Sequence, residues 1–194
     1  MKFGNIMSRI GKKIIQIPEK VEVKIEGDLV MVKGSKGELS RKIRPEIKVE
    51  VRDNQVFVSP ASEKELVKNK QIKALWGLTR ALLANMITGV NSDFEKRLEI
   101  HGIGFKAEVR GEVGELVLNI GFSHQVIIKI PQGLKVLVEK NIIIVSGADK
   151  ELVGQFSAVL RKIKPHEPYK GKGIKYLGEQ VRRKAGKKVA TTSK

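Results

Sequence analysis

The stretch KPHEPYKGKGIKY, Lys164 to Tyr176, sets lysines beside two prolines, two glycines and both tyrosines of the chain. Lys170, Lys172 and Lys175 can each reach a phosphate oxygen, and exposed amides between them can donate as well. Gly171 and Gly173 let a ligand approach the backbone and permit positive φ. Pro165 and Pro168 stiffen the path, with Glu167 extended ahead of the second proline. Tyr169 and Tyr176 offer flat faces on which an unpaired base can stack. The chemistry suggested is RNA contact. His166 lies inside the run, Arg161, Lys162 and Lys164 lead into it, and Arg182, Arg183, Lys184, Lys187 and Lys188 continue the charge in VRRKAGKK.

The charge is distributed unevenly. Net charge is +17 over 194 residues. Residues 161–194 carry twelve basic residues against two acidic ones, and residues 1–13 add Lys2, Arg9, Lys12 and Lys13 with no acid. Residues 14–160 are nearly balanced, with 22 basic and 19 acidic. A neutral body with two basic ends implies a polyanionic partner. Arg9, Lys12 and Lys13 therefore join the candidate RNA-binding set.

Catalytic and metal chemistry find few parts. There are no cysteines, which removes thiolate ligands, disulfides and thiol nucleophiles and fits a reducing, cytoplasmic setting. HGIGFK, His101 to Lys106, lacks a third glycine for a dinucleotide loop, and no phosphate-loop motif is present. His101 and His124 are isolated and read as structural or solvent-facing. Glu108, Glu112 and Glu115 read as a hairpin rim, without a pocket to raise a carboxyl pKa. The expectation is no enzyme, no cofactor, no metal and no small-molecule substrate. No apolar run is long enough for a membrane span. The basic tail offers only Val181, Ala185 and Val189 at helical spacing, too little to anchor on a bilayer.

These candidates must be held by a folded body, and the body repeats itself. IKVEVRDNQVFVSPASEKELV, Ile47 to Val67, matches LKVLVEKNIIIVSGADKELV, Leu134 to Val153. Ile47 aligns with Leu134 and Ala61 with Ala148; after one deletion Lys64 aligns with Lys150. In the first copy, strands are expected at Val21–Ile25, Leu29–Lys33, Glu38–Ile43, Ile47–Val51 and Gln55–Ser59, with turns at Gly27-Asp28 and Asp53-Asn54. Ser62 and Glu65 form a capping-box pattern before a helix. That helix carries Ile72, Leu75, Trp76, Thr79, Leu82, Leu83 and Met86 on one face. The second copy predicts strands at Leu98–Gly102, Phe105–Arg110, Glu115–Ile120, Gln125–Ile130, Leu134–Glu139 and Asn141–Ser146. Asp149 is the expected N-cap of its helix, whose stripe is Leu152, Val153, Phe156, Val159, Leu160 and Ile163, and which Pro165 ends. The fold class is α+β: two tandem domains, each of antiparallel strands packed with one helix. The expected division is a basic extension at 1–13, repeats at 14–90 and 91–164, and a basic segment at 165–194.

Three motifs in order give a family resemblance. EPYKGKGIKY (Glu167–Tyr176), MSRIGKK (Met7–Lys13) and ALWGLTRALLANMITGV (Ala74–Val90) are similar to motifs of the sixth protein of the large ribosomal subunit, bacterial type. The resemblance spans about Met7 to Lys188. It implies a duplicated α+β fold that binds large-subunit ribosomal RNA, mainly through the second domain and C-terminal segment. It also implies a position near the sarcin–ricin region, the stalk base with its neighbouring proteins, and the docking site of translation factors. Residues Met1–Ile6 precede the family's usual start, and KKIIQIP keeps only Pro18 where relatives often have more prolines. A transient RNA-processing or chaperone factor would share the same charge pattern; it would leave the mature subunit.

Overall fold

In the computed structural model, residues 8–62, 69–111 and 114–186 are described. They form two units: one running through Phe94 and taking in Gly147–Lys150, the other formed by Glu95–Ser146 and Glu151 onward.

The first unit holds two three-stranded sheets and a helix. Strands β2 (Glu22–Glu26), β3 (Leu29–Gly34) and β4 (Gly37–Lys42) form an antiparallel meander. Strands β1 (Ile15–Gln16), β5 (Ile47–Arg52) and β6 (Gln55–Pro60) form a second sheet in the order β1-β6-β5. The β5–β6 turn places both Asp53 and Asn54 at positive φ, 44° and 61°, as an Asx pair tolerates in a tight hairpin. Helix α1 (Lys70–Asn91) buries Ile72, Trp76, Leu83, Met86, Ile87 and Val90 against both sheets. Leu75, Thr79 and Leu82 from the expected stripe are only partly covered. The cap at the described start of α1 is Asn69, whose side chain accepts from the Gln71 N–H at 2.9 Å. Glu65 and its capping-box role lie outside the described residues.

The second unit repeats the plan. Strands β8 (Lys106–Arg110), β9 (Glu115–Asn119) and β10 (Val126–Lys129) form the meander. Strands β11 (Leu134–Glu139), β12 (Ile142–Gly147) and β7 (Phe94–His101) correspond to β5, β6 and β1. Helix α2 (Lys150–Ile163) buries Val153, Phe156, Ser157 and Leu160, and the Ser157 hydroxyl donates to the Val153 carbonyl at 2.7 Å. Val159, expected on the stripe, is 46% exposed. It sits on the outer edge of the helix, where apolar identity alone did not mean burial.

One strand has no counterpart among the described residues of the first unit. Gly173–Tyr176 forms β13, antiparallel to β7, with Ile174 opposite Ile100 and Lys175 opposite Glu99. The sheet order is β11-β12-β7-β13.

Candidate nucleic-acid interface

Strand β13 turns half of the basic segment into framework. Ile174 is fully buried, and its N–H donates to the Lys164 carbonyl at 2.8 Å. The Glu167 N–H donates to the Lys172 carbonyl at 2.8 Å and the Gly171 N–H to the Glu167 carbonyl at 3.0 Å, closing the loop between α2 and β13. Gly171 and Gly173 take φ of 70° and 135°. A Cβ on Gly173 would lie 2.6 Å from the Pro165 carbonyl oxygen and 2.7 Å from His166 Cα. Glycine is required here for strand packing rather than for a ligand's approach. Farther on, the Leu177 N–H donates to the Arg97 carbonyl and the Lys184 N–H to the Pro168 carbonyl, so the chain is tied down as far as Lys184.

Side chains then divide into two groups. Arg161 donates to Glu179 from Nε at 3.2 Å and also from Nη2. The Tyr176 N–H donates to the same carboxylate at 3.1 Å. Arg161 holds the Glu179 carboxyl below the usual carboxylate range, against the opposing effect of partial burial. Lys175 Nζ lies 3.3 Å and His101 Nε2 2.7 Å from the two oxygens of Glu99. Burial pushes the Glu99 carboxyl up, but the bonds from His101 and Lys175 together leave it lowered. Half-buried His166 keeps Nδ1 4.0 Å from Glu179, with no hydrogen-bond partner. Tyr176 is half-buried, with Lys96 and Arg161 5.8 and 5.7 Å from its ring centre. Arg161, Lys175 and Tyr176 thus hold the segment in place, while His166 sits half-buried beside them without a hydrogen bond at Nδ1.

The second group projects. Lys162, Lys170, Arg182, Arg183 and Lys184 are exposed and Lys172 half-exposed; none forms an ion pair among the described residues. Tyr169 is 54% exposed. Lys170, Lys175 and Arg183 line an open groove of about 560 Å³ together with His101, Glu179 and the glycines Gly171 and Gly178. Lys187 and Lys188 lie outside the described residues.

The N-terminal cations belong to the first unit and form a separate group. Arg9, Lys12 and Lys13 are exposed. The turn carrying them is fixed by the Gly11 N–H on Ser8 Oγ at 3.1 Å and by Arg80 Nε on the Lys13 carbonyl at 2.9 Å. Gly11 lies against the Trp76 indole, where an added Cβ would come within 2.6 Å.

Sequence reasoning missed β13 and the two carboxylates, Glu99 and Glu179, that anchor it. The available signal was the short alternation G-I-K-Y, masked by its position in a run of lysine and glycine. His124 is exposed on the β9–β10 loop, in keeping with its solvent-facing reading, and Phe122 is exposed beside it. No cluster of three metal-ligating side chains occurs among the described residues, and no described helix is long and apolar enough to cross a membrane.

Two copies of one sheet-and-helix plan, the second extended by a cationic edge strand, make this a tandem-duplicated α+β protein. The profile of the Ribosomal protein L6 family matches it twice, at residues 17–93 and 101–177. The chain is 49% identical to large ribosomal subunit protein uL6 of Desulforapulum autotrophicum over 95% of its length and 99% of the relative's. It is 52% identical to uL6 of a Synechococcus strain over 93% and 97% of the two chains. It is 48% identical to uL6c of Guillardia theta over 93% and 98%. The chain belongs to the Ribosomal protein L6 family, whose members are structural proteins rather than enzymes.

Proposed function

We propose that this protein is a structural constituent of the large ribosomal subunit that grips large-subunit ribosomal RNA, mainly through its second unit and C-terminal segment. The observation that carries the reading is the division of the basic segment. Arg161, Lys175 and Tyr176 pin it to the sheet, while Lys170, Lys172, Arg182, Arg183 and Lys184 project without carboxylate partners among the described residues. Cations left free on a rigid edge are suited to phosphates, whose counterions are released on binding. Tyr169 beside them adds an exposed ring for stacking. The family resemblance supports placement near the sarcin–ricin region and the stalk base, where translation factors dock. Arg9, Lys12 and Lys13 give the first unit its own, smaller phosphate contact.

The test is sedimentation of lysate on a sucrose gradient, with the chain quantified on mature large subunits after a high-salt wash. About one copy per mature subunit is expected for a structural constituent. Recovery only on precursor particles, or free at the top, would replace this reading with that of a transient assembly factor.

A further inference from the structure

Along β9 the side chains of Leu116, Leu118 and, just beyond the strand, Ile120 are fully buried. The two-residue alternation would send Phe122 into the same core. Instead Gly121, at φ 76°, turns the chain and leaves Phe122 39% exposed. The turn is held by Phe105, whose ring lies 2.9 and 2.6 Å from where a Cβ on Gly121 or on Gly102 would sit. The loop is therefore a packed structure that presents a large aromatic ring to solvent.

Two further groups converge on that ring. His124 stacks beside it, with ring centres 6.1 Å apart and planes 15° from parallel. Lys164 Nζ lies 4.6 Å from the Phe122 centre. The backbone of Lys164 is itself bonded to β13 through the Ile174 N–H. The aromatic pair is thus joined to the basic segment by a residue belonging to both.

We infer that Phe122 and His124, with Lys164, form a stacking site for an unpaired nucleobase of RNA, a second contact beyond the basic segment. The inference rests on the RNA-binding reading above. A flat aromatic pair gives a base face a surface, and the ammonium, which lies over the Phe122 ring on a long and rotatable stem, can meet that nucleotide's phosphate. The partner is single-stranded or looped RNA, because the base faces of a duplex are hidden in its stack.

The full-length protein would be titrated with protein-free large-subunit ribosomal RNA at several salt concentrations, comparing the parent with Phe122→Leu, Phe122→Tyr and Lys170→Ala/Lys172→Ala. Phe122→Leu should bind about ten-fold more weakly, the size of one base–aromatic stack. Its salt dependence should stay that of the parent, and Phe122→Tyr should retain affinity. A Phe122→Leu protein that binds as the parent does, or a Phe122→Tyr protein as weak as Phe122→Leu, overturns the stacking site. If the lysine pair matters and Phe122→Leu does not, only the stacking site fails; if the parent does not bind, the RNA-binding reading fails with it. Independently of whether the variants fold, ultraviolet crosslinking of intact large subunits should leave a nucleotide adduct on the peptide containing Phe122. A protein adduct there, or none, overturns the inference.

Discussion

Arg161, on the last turn of α2, and Glu179, three residues beyond β13, are joined side chain to side chain, and the carboxylate that takes Arg161 also caps the Tyr176 N–H. A helix end and a strand end are thereby closed on one side chain. The surrounding segment is rich in cations, and this carboxylate is one of only two acidic residues in the last 34 positions. Its role is structural, since it fixes Arg161 and leaves the neighbouring cations to project.

Glu179→Gln should therefore loosen β13 more than it alters net charge. Amide exchange at Ile174 and Tyr176 should accelerate, and the melting temperature should fall by a few degrees, as expected for about 1 kcal/mol in a partly solvent-screened pair. Acid should act on the parent in the same way. Glu179 and Glu99 both have lowered carboxyl pKa values in the folded protein. The stability they contribute is present above the unfolded value near 4.5 and is lost as pH falls below it through the folded values. Melting curves from roughly pH 6 down to roughly pH 3 should show this loss diminished in Glu179→Gln. An unchanged acid limb would mean that Glu179 does not support the fold.

Gly173→Ala is expected to be among the most damaging small changes in the chain. It meets both a left-handed φ of 135° and the Pro165 carbonyl at 2.6 Å. A cost above about 2 kcal/mol is expected from strain plus displaced backbone. Gly178→Ala is the matched control, since φ there is 83° but nothing lies within 4 Å of the added carbon. That change should cost about 1 kcal/mol, from the left-handed conformation alone. Thermal denaturation of both variants measures the difference, and equal costs would mean that β13 is not packed as described.

The three lysines of YKGKGIK should separate by role. Lys170→Ala/Lys172→Ala should weaken RNA binding and reduce the slope of log affinity against log salt by about 0.7 to 0.9 for each phosphate no longer neutralised. Lys175→Ala should change that slope less, because its ammonium is held by Glu99 at 3.3 Å. Filter binding of ribosomal RNA across a salt series distinguishes them. A change of slope at Lys175 equal to that at Lys170 would show that the ion pair opens on binding.

Trp76, the single tryptophan, reports on the first unit. Its Nε1–H donates to the buried Val58 carbonyl at 2.6 Å. Trp76→Phe leaves that carbonyl unsatisfied and should cost about 1–3 kcal/mol. Gly11→Ala pushes against the indole and should shift its fluorescence in the folded protein. An unshifted spectrum with unchanged stability would mean that the turn bearing Arg9, Lys12 and Lys13 does not rest on Trp76.

The body was legible in the sequence because its signals are local. The strands at Leu29, Ile47 and Leu134 announce themselves by alternation and by Asx or glycine turns, and α2 by its apolar stripe up to Pro165. Duplication doubled every signal. Strand β1 was not legible, since two residues, Ile15 and Gln16, carry no periodicity. Strand β13 was missed for a different reason. Its only core residue, Ile174, is surrounded by lysines and glycines whose composition suggests an exposed loop, and its partner β7 lies far back in the chain. The anchoring of Tyr176 and Lys175 is not legible in the sequence because their partners, Arg161 and Glu99, are neighbours only once the chain has folded. The exposed cations were legible because a charge that stays in solvent needs no partner to be recognised.

The order of strands in the β11-β12-β7-β13 sheet has a consequence for synthesis. β7 emerges from the ribosome that makes it long before β13, and the two close across the whole of the intervening meander and helix. Such a distant closure is slow relative to hairpins, and a growing chain cannot begin it until Tyr176 is free of the exit tunnel. Until then the sheet has an open edge at Ile100, and Lys170 and Lys172 hang on unanchored backbone. The surface proposed to hold RNA and the last fold of the domain are therefore completed by the same event, so a nascent or truncated chain cannot display its grip before its core is shut.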